Sequence, residues 1–292
     1  MSFVIFTDTS ANLPTDYLVQ HHIQTIPLEY LIDGRAHTCL DTETFDGECY
    51  YDAIRSGTVV TTSQITPQHY IDCFTPVLAA GQELLFIGMS SGISGSYHSA
   101  EIAAAHLREQ YPDARLRLVD TLAASLGEGI FVLRAVDCRD AGMSLDETAD
   151  FLLANVPCMY QGVMLEDLMY LKRGGRISGA KALLGTVLGI RPLLKGNEHG
   201  QLVVCGKARG RRAGLAALAE KYAALVDHPE EKIVGIAHAG CRDDAETLAE
   251  MLRKAAAPKD ILIVCYEPVT GSHVGPGTVA LFFEGKAGVR LQ

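Results

Sequence analysis

Short apolar runs alternate along this chain with longer stretches in which apolar positions recur every three to four residues. The runs at 3–6, 84–88, 115–119, 159–164, 201–204, 232–237, 261–266 and 279–283 have the length and aliphatic content of buried strands. The periodic stretches predict helices after Pro14, from Thr66 to about residue 80, over 97–111, from Ser144 to about residue 155, after Ser178, from about Ala213 and from Asp243. Ser144 and Glu147 stand at capping-box spacing, and Pro14 suits the first turn of a helix. Strand and helix in alternation predict an α/β protein with mostly parallel sheets. Residues 23–32 followed by Asp33-Gly34 read as a hairpin or meander, a small β excursion near 23–45. The break at Pro157-Cys158 divides the chain into an N-terminal α/β domain, 1–157, and a C-terminal α/β domain, 158–292.

Composition narrows the picture. With 48% hydrophobic and 21% charged residues the chain has ample material for two cores, and with no Trp and 7% aromatics those cores must be aliphatic. A net charge of −10 argues against a nucleic-acid binder. The longest apolar stretch, 182–194, is cut by Gly185, Gly189, Arg191 and Pro192, so no stable membrane insertion is expected. The opening residues pass directly into a strand-like run and read as no secretory leader. Eight cysteines, none within nine residues of another, offer no zinc or thioredoxin spacing; scattered thiols of this kind fit a reducing cytoplasm.

In an open α/β sheet, ligands bind beyond the carboxyl ends of the strands. Hydroxyls gather there: Thr9 and Ser10 beside Asp8, Thr61, Thr62 and Ser63 before Gln64, Ser90, Ser91 and Ser94, and Thr121 after Asp120. Single residues of this type ordinarily cap helices, but several at one sheet end form a candidate site. The densest stretch, 88–97, combines glycines and serines between a strand and a helix, a credible cradle for a carboxylate or phosphate. Its Gly88-x-Ser90-x-Gly92 also matches the nucleophile elbow of hydrolases, with His238 or His273 as base, so a serine hydrolase of acyl esters using Ser90 is the alternative. Between 172 and 212 ten basic residues face the single acid Glu198, an excess of nine in an acidic chain, which points to an anionic ligand or an acidic protein partner. His273, flanked by Gly271, Ser272, Gly275 and Pro276, reads as a loop residue free to face a site. No nucleotide or metal motif occurs, so neither cofactor nor metal is expected.

Five stretches, 8–13, 62–64, 90–97, 171–178 (Leu-Lys-Arg-Gly-Gly-Arg-Ile-Ser) and 273–277 (His-Val-Gly-Pro-Gly), resemble in order and spacing the DegV family of bacterial fatty-acid-binding proteins. The resemblance spans essentially the whole chain and departs at Asp120-Thr121, where Asp-Ser is expected. It implies two α/β domains with a long-chain fatty acid between them, presented by a non-catalytic carrier to a fatty-acid kinase that makes acyl phosphate. Carried over, Thr62 and Ser94 bind the carboxylate. Ser63, Ser91, Gly95, Arg176, Arg209 and His273 lie near the head group or the kinase contact, with Lys172 and Arg173 steering the partner. An aliphatic chain with few bulky aromatics is compatible with the long dry tunnel such a ligand needs.

Overall fold

The structure, a computed structural model, describes residues 3–177 and 189–292. The predicted helix after Ser178, Ser178 itself and Lys181 lie outside the described residues.

The first unit contains β1 (Val4–Asp8), α1 (Thr15–Gln20), β2 (Gln24–Ile26), β3 (Glu29–Ile32), β4 (Arg35–Thr38), α2 (Gly47–Arg55), β5 (Val60–Ser63), α3 (Pro67–Ala79), β6 (Leu84–Gly88), α4 (Ser96–Gln110), β7 (Leu116–Asp120), α5 (Leu126–Asp140) and α6 (Leu145–Asn155). The second contains β8 (Met159–Met164), α7 (Met169–Gly174), β9 (Ile190–Gly196), β10 (Leu202–Arg209), α8 (Arg211–Leu225), β11 (Ile233–His238), α9 (Arg242–Ala255), β12 (Asp260–Cys265), α10 (Pro268–Val274) and β13 (Val279–Glu284).

In the first unit the expected parallel sheet forms, in the order β2-β1-β6-β7, with Val4 opposite Leu84 and Leu84 opposite Leu116. β6 is buried along its whole length, as a central strand covered on both faces must be. The predicted β excursion is a separate antiparallel sheet, β4-β3-β5. Its β3–β4 hairpin turns at Asp33-Gly34, both with positive φ, as a two-residue turn of this hand requires. The predicted run 23–32 is split, because β2 joins the main sheet instead.

The second sheet, β10-β9-β8-β13-β11-β12, corrects the expectation of mostly parallel strands: only β11 and β12 run parallel, and every other neighbouring pair is antiparallel. The alternation of strand and helix does not encode direction. β8 reaches β9 and β13 through connections that return it antiparallel.

The two sheets are joined by α5, which the apolar pattern had not revealed. It is buried on nearly every face and packs on β1 and β6 from one side and on β8, β11 and β13 from the other. One continuous core therefore runs from Ile5 and Leu85 through Ile130 and Phe131 to Val163, Ala280 and Phe282.

Polar contacts close the seam. Asn12, left-handed at φ 56°, donates to the Cys265 carbonyl at 2.9 Å, and its Oδ1 accepts from the Glu267 amide at 3.1 Å and the Ser125 hydroxyl at 3.3 Å. Because all three partners are at least partly buried, truncation strands them without water. Asn12→Ala should therefore lower stability by about 2–4 kcal/mol, read as a fall in denaturant midpoint at unchanged secondary structure. An unchanged midpoint would show that the seam holds without these bonds.

Candidate functional site

The seam between the sheets forms a cavity of about 720 Å³, counting the part open to solvent. Its wall is apolar for most of its extent, with Leu28 and Met89 contributed by the first unit and Val163, Leu171, Val274 and Phe282 by the second. Thr62, Ser63, Gln64, Ser94, Arg176, Thr270 and His273 line the same cavity.

The docking of two loops brings these groups together. The Ile65 backbone amide donates to the buried Ser96 hydroxyl at 3.1 Å, and the Gln64 side-chain Nε2 donates to Ser99 Oγ at 3.2 Å, which fastens the end of β5 to the first turn of α4. Ser94 lies just before that turn, where its Oγ accepts from the Ser96 amide at 3.2 Å. Gly95 faces the Gln64 side chain so closely that a Cβ would collide with it, and so supports the site without lining it. From the second unit, Arg176 follows α7 and its Nε donates across the seam to the Ile93 carbonyl at 3.3 Å.

His273 is not on a loop, contrary to expectation. It lies in the last turn of α10, whose start is capped by Glu267: the carboxylate accepts from the Val269 and Thr270 amides at 2.6 Å each. The capping residue and Pro268 at the first turn outweigh the Gly271-Ser272 signal. His273 Nε2 lies 2.8 Å from Thr62 Oγ1. Burial, and then the charge of Arg176, pull its pKa down to about 4, so the ring is neutral at neutral pH. A neutral Nε2–H donating to Thr62 Oγ1 leaves the threonine proton free for an acceptor in the cavity. Gly174 packs against this ring, where any side chain would strike Nδ1.

A second hollow, about 790 Å³ and open to solvent, adjoins the first and shares Thr62, Arg176 and His273 with it. Val59, Thr61, Tyr170, Arg173 and Ser272 are among the other residues that line it. The Arg173 guanidinium lies 4.8 Å from the centre of the Tyr170 ring, a cation–π contact. Lys172 is exposed beside it on the last turn of α7.

Other candidates fall elsewhere. Ser91 is exposed, with its amide on Asp120 Oδ1 at 3.2 Å, and lines neither cavity. Arg209 ends β10 opposite Ile190, exposed and outside both linings. Asp8, Thr9 and Ser10 are buried and tie loops: Asp8 accepts from the Ser10 amide, Thr9 Oγ1 accepts from the Leu28 amide at 3.0 Å, and Ser10 donates to Glu128. Thr121 donates to the Gly88 carbonyl at 2.9 Å. Part of the basic excess is consumed internally, since Arg191 and Arg211 both pair with Glu166 at 2.7 Å and Arg211 also meets Asp244.

The hydrolase alternative loses its chemistry. Ser90 is fully buried and donates to the Gly200 carbonyl at 2.9 Å, while His238 Nδ1 accepts from the Cys241 amide and burial lowers its pKa to about 4. Among the described residues no histidine bonds to Ser90. Sequence reading missed Gln161, whose side chain lines the cavity and bonds the Leu122 carbonyl and Ala124 amide, and Thr270. Gln161 gave no signal because it stands alone in an apolar strand run.

A sequence model of the family described as "Uncharacterised protein, DegV family" matches residues 2–286. The chain belongs to the DegV family. A DegV domain-containing protein of Clostridium perfringens is 38% identical over 283 residues, 97% of each chain, and one of Lactococcus lactis is 34% identical over 282. Among solved structures, a DegV family protein of Thermus thermophilus, described by its fatty-acid binding, superposes with a TM-score of 0.88 at 28% identity, covering 98% of this chain and all of that one. A fatty-acid-binding DegV protein of Streptococcus agalactiae gives 0.85 at 28% identity, with 98% and 99% covered. DegV membership and the two-unit α/β fold expected from the sequence both stand.

Folding depresses the His273 pKa, so the neutral ring's contribution to stability is present above about pH 6.5 and is lost as pH falls through about 4. An NMR titration of the ring C2 proton should place its midpoint near 4. Arg176→Ala should shift that midpoint upward, because the second cause is removed; a midpoint unmoved by the substitution would assign the whole effect to burial.

Proposed function

We propose that this DegV protein binds a long-chain fatty acid in the seam cavity and presents its carboxylate to a fatty-acid kinase for acyl-phosphate formation. It acts in the cytoplasm as a carrier rather than a catalyst. The observation that carries the reading is one cavity whose wall is mostly apolar and whose polar groups include hydroxyls, an arginine and a neutral histidine. Binding of fatty acids by relatives that share the fold over nearly the whole chain supports it. Burying about 15 methylenes at ~0.8 kcal/mol each gives an upper limit near ~12 kcal/mol, so the tail supplies affinity and the head group supplies register. The two units, divided at Pro157-Cys158, form opposite walls of the cavity.

Two arguments favour a kinase partner. Thr62, Arg176 and His273 line both the apolar cavity and the open hollow, so a carboxylate beside them is reachable from solvent. Phosphoryl transfer builds negative charge there, and guanidinium groups such as Arg176 and Arg173 stabilise it by charge-assisted hydrogen bonds. Exposed Lys172 and Arg209 extend the positive field toward an acidic partner surface.

Denaturing extraction of the purified protein followed by mass spectrometry should release stoichiometric C14–C18 fatty acid. An empty extract, together with failure to bind added fatty acid, removes the proposal. Thr62→Ala or Ser94→Ala should weaken binding about ten- to hundredfold while the fold survives, since a hydrogen bond to a charged group contributes about 1.5–3 kcal/mol. Arg209→Glu should leave fatty-acid content nearly unchanged yet slow acyl-phosphate formation by a cognate kinase in a salt-dependent way; an unaltered rate would detach the kinase from this surface.

A further inference from the structure

One hydroxyl in the cavity wall has no internal use. Thr270 lies on α10 three residues before His273, so the two share a helix face, and both line the cavity. Its Oγ1 is sealed from solvent and finds no hydrogen-bond partner among the described residues. Thr62, Ser94, Gln161 and His273 in the same lining all have one. A threonine in a helix ordinarily returns its proton to the carbonyl three or four residues back. Ser272 on this same helix does so, donating to the Val269 carbonyl at 2.8 Å. For Thr270 no such bond forms: the Tyr266 carbonyl accepts from the Tyr51 hydroxyl at 2.8 Å, and the Glu267 carbonyl accepts from the Gly271 amide at 2.9 Å. The Glu267 carboxylate in the same turn is close enough for Thr270 to lower its pKa, but each of its oxygens accepts a backbone amide at 2.6 Å and no bond of good geometry joins it to the Thr270 hydroxyl. A sealed, unpartnered hydroxyl is costly, and native proteins rarely keep one without a ligand or other partner for it.

We infer that Thr270 is a third hydroxyl donor to the ligand carboxylate, beside Thr62 and Ser94. The inference rests on the fatty-acid reading above. A carboxylate offers about four lone-pair positions, so three hydroxyls and Arg176 match its capacity. Thr270 differs from the other two in having no hydrogen bond of good geometry to give up when the ligand enters.

Thr270→Val keeps the branched shape and removes only the oxygen. Delipidated wild type and variant are compared for binding of palmitate and of hexadecanol by calorimetry, and for thermal stability without ligand. Palmitate should bind the variant about tenfold more weakly, ~1.4 kcal/mol at 25 °C, and the preference for acid over alcohol should shrink by a similar factor. The unliganded variant should be no less stable than wild type, because an unpaired buried hydroxyl is gone. Thr270→Ser should restore the acid preference, and Thr270→Ala keeps the comparison readable if valine disturbs the fold. Equal palmitate affinity, or equal losses for acid and alcohol, would overturn the role of Thr270 while leaving fatty-acid binding intact. Failure of the wild type to bind palmitate would instead overturn the reading beneath it.

Discussion

The buried carboxylate of Glu267 holds the wall on which the site depends. α10 is seven residues long, too short to persist by its own hydrogen bonds, and it carries Val269, Thr270, His273 and Val274 into the cavity. Glu267 closes its first turn with two backbone bonds, the Tyr50 and Tyr51 hydroxyls pin the carbonyls of Pro268 and Tyr266, and Asn12 ties the Glu267 amide to the first unit. The arrangement costs free energy: burial raises the Glu267 pKa to about 7, with the charge of Asp8 adding to it. Burial likewise raises Asp8, and burial and Asp8 raise Glu128. Carboxyl groups that resist ionisation are retained here for the backbone groups and hydroxyls they engage.

The same low-dielectric seam sets the electrostatics of the site. It removes the proton from His273 and leaves Arg176 as the permanent positive charge in the cavity lining. A neutral imidazole can orient the Thr62 hydroxyl without competing with it as a counter-ion. The histidine is thus a hydrogen-bonding group, and charge recognition is left to arginine. Elsewhere Arg191 and Arg211 of the basic segment are neutralised by Glu166 and Asp244, so the positive surface left for a partner is narrower than a count of residues implies.

Thr270 and Gln161 show why polar residues inside apolar runs are informative only in three dimensions. Each stands singly in the sequence. Gln161 is satisfied by the backbone of the loop at 122–124, whereas the Thr270 hydroxyl finds no bond of good geometry among the described residues, and only the packed neighbours distinguish the two.

The sequence by itself determined the class of fold, most strand positions and the capping box at Ser144, where Glu147 and Ser144 bond reciprocally. These depend on local geometry: the period of apolar residues, and side chains that reach backbone groups three residues away. The motif residues Thr62, Ser94, Arg176 and His273, though drawn from four separate stretches by resemblance, also meet at one cavity. Strand direction in the second sheet was not legible, because the apolar content of a strand does not record which neighbour it will pair with. Nor was α5: its first two turns are buried all round and polar residues gather only toward its end, so no sustained period of 3.6 marks it. Only the tertiary structure decided that His273 lies in the last turn of a helix, that Ser91 and Arg209 stand apart from the cavity, and that Thr270 finds no well-placed partner among the described residues. Each of these is fixed by contacts between residues far apart in the chain, where burial and the exclusion of water, rather than local propensity, settle the outcome.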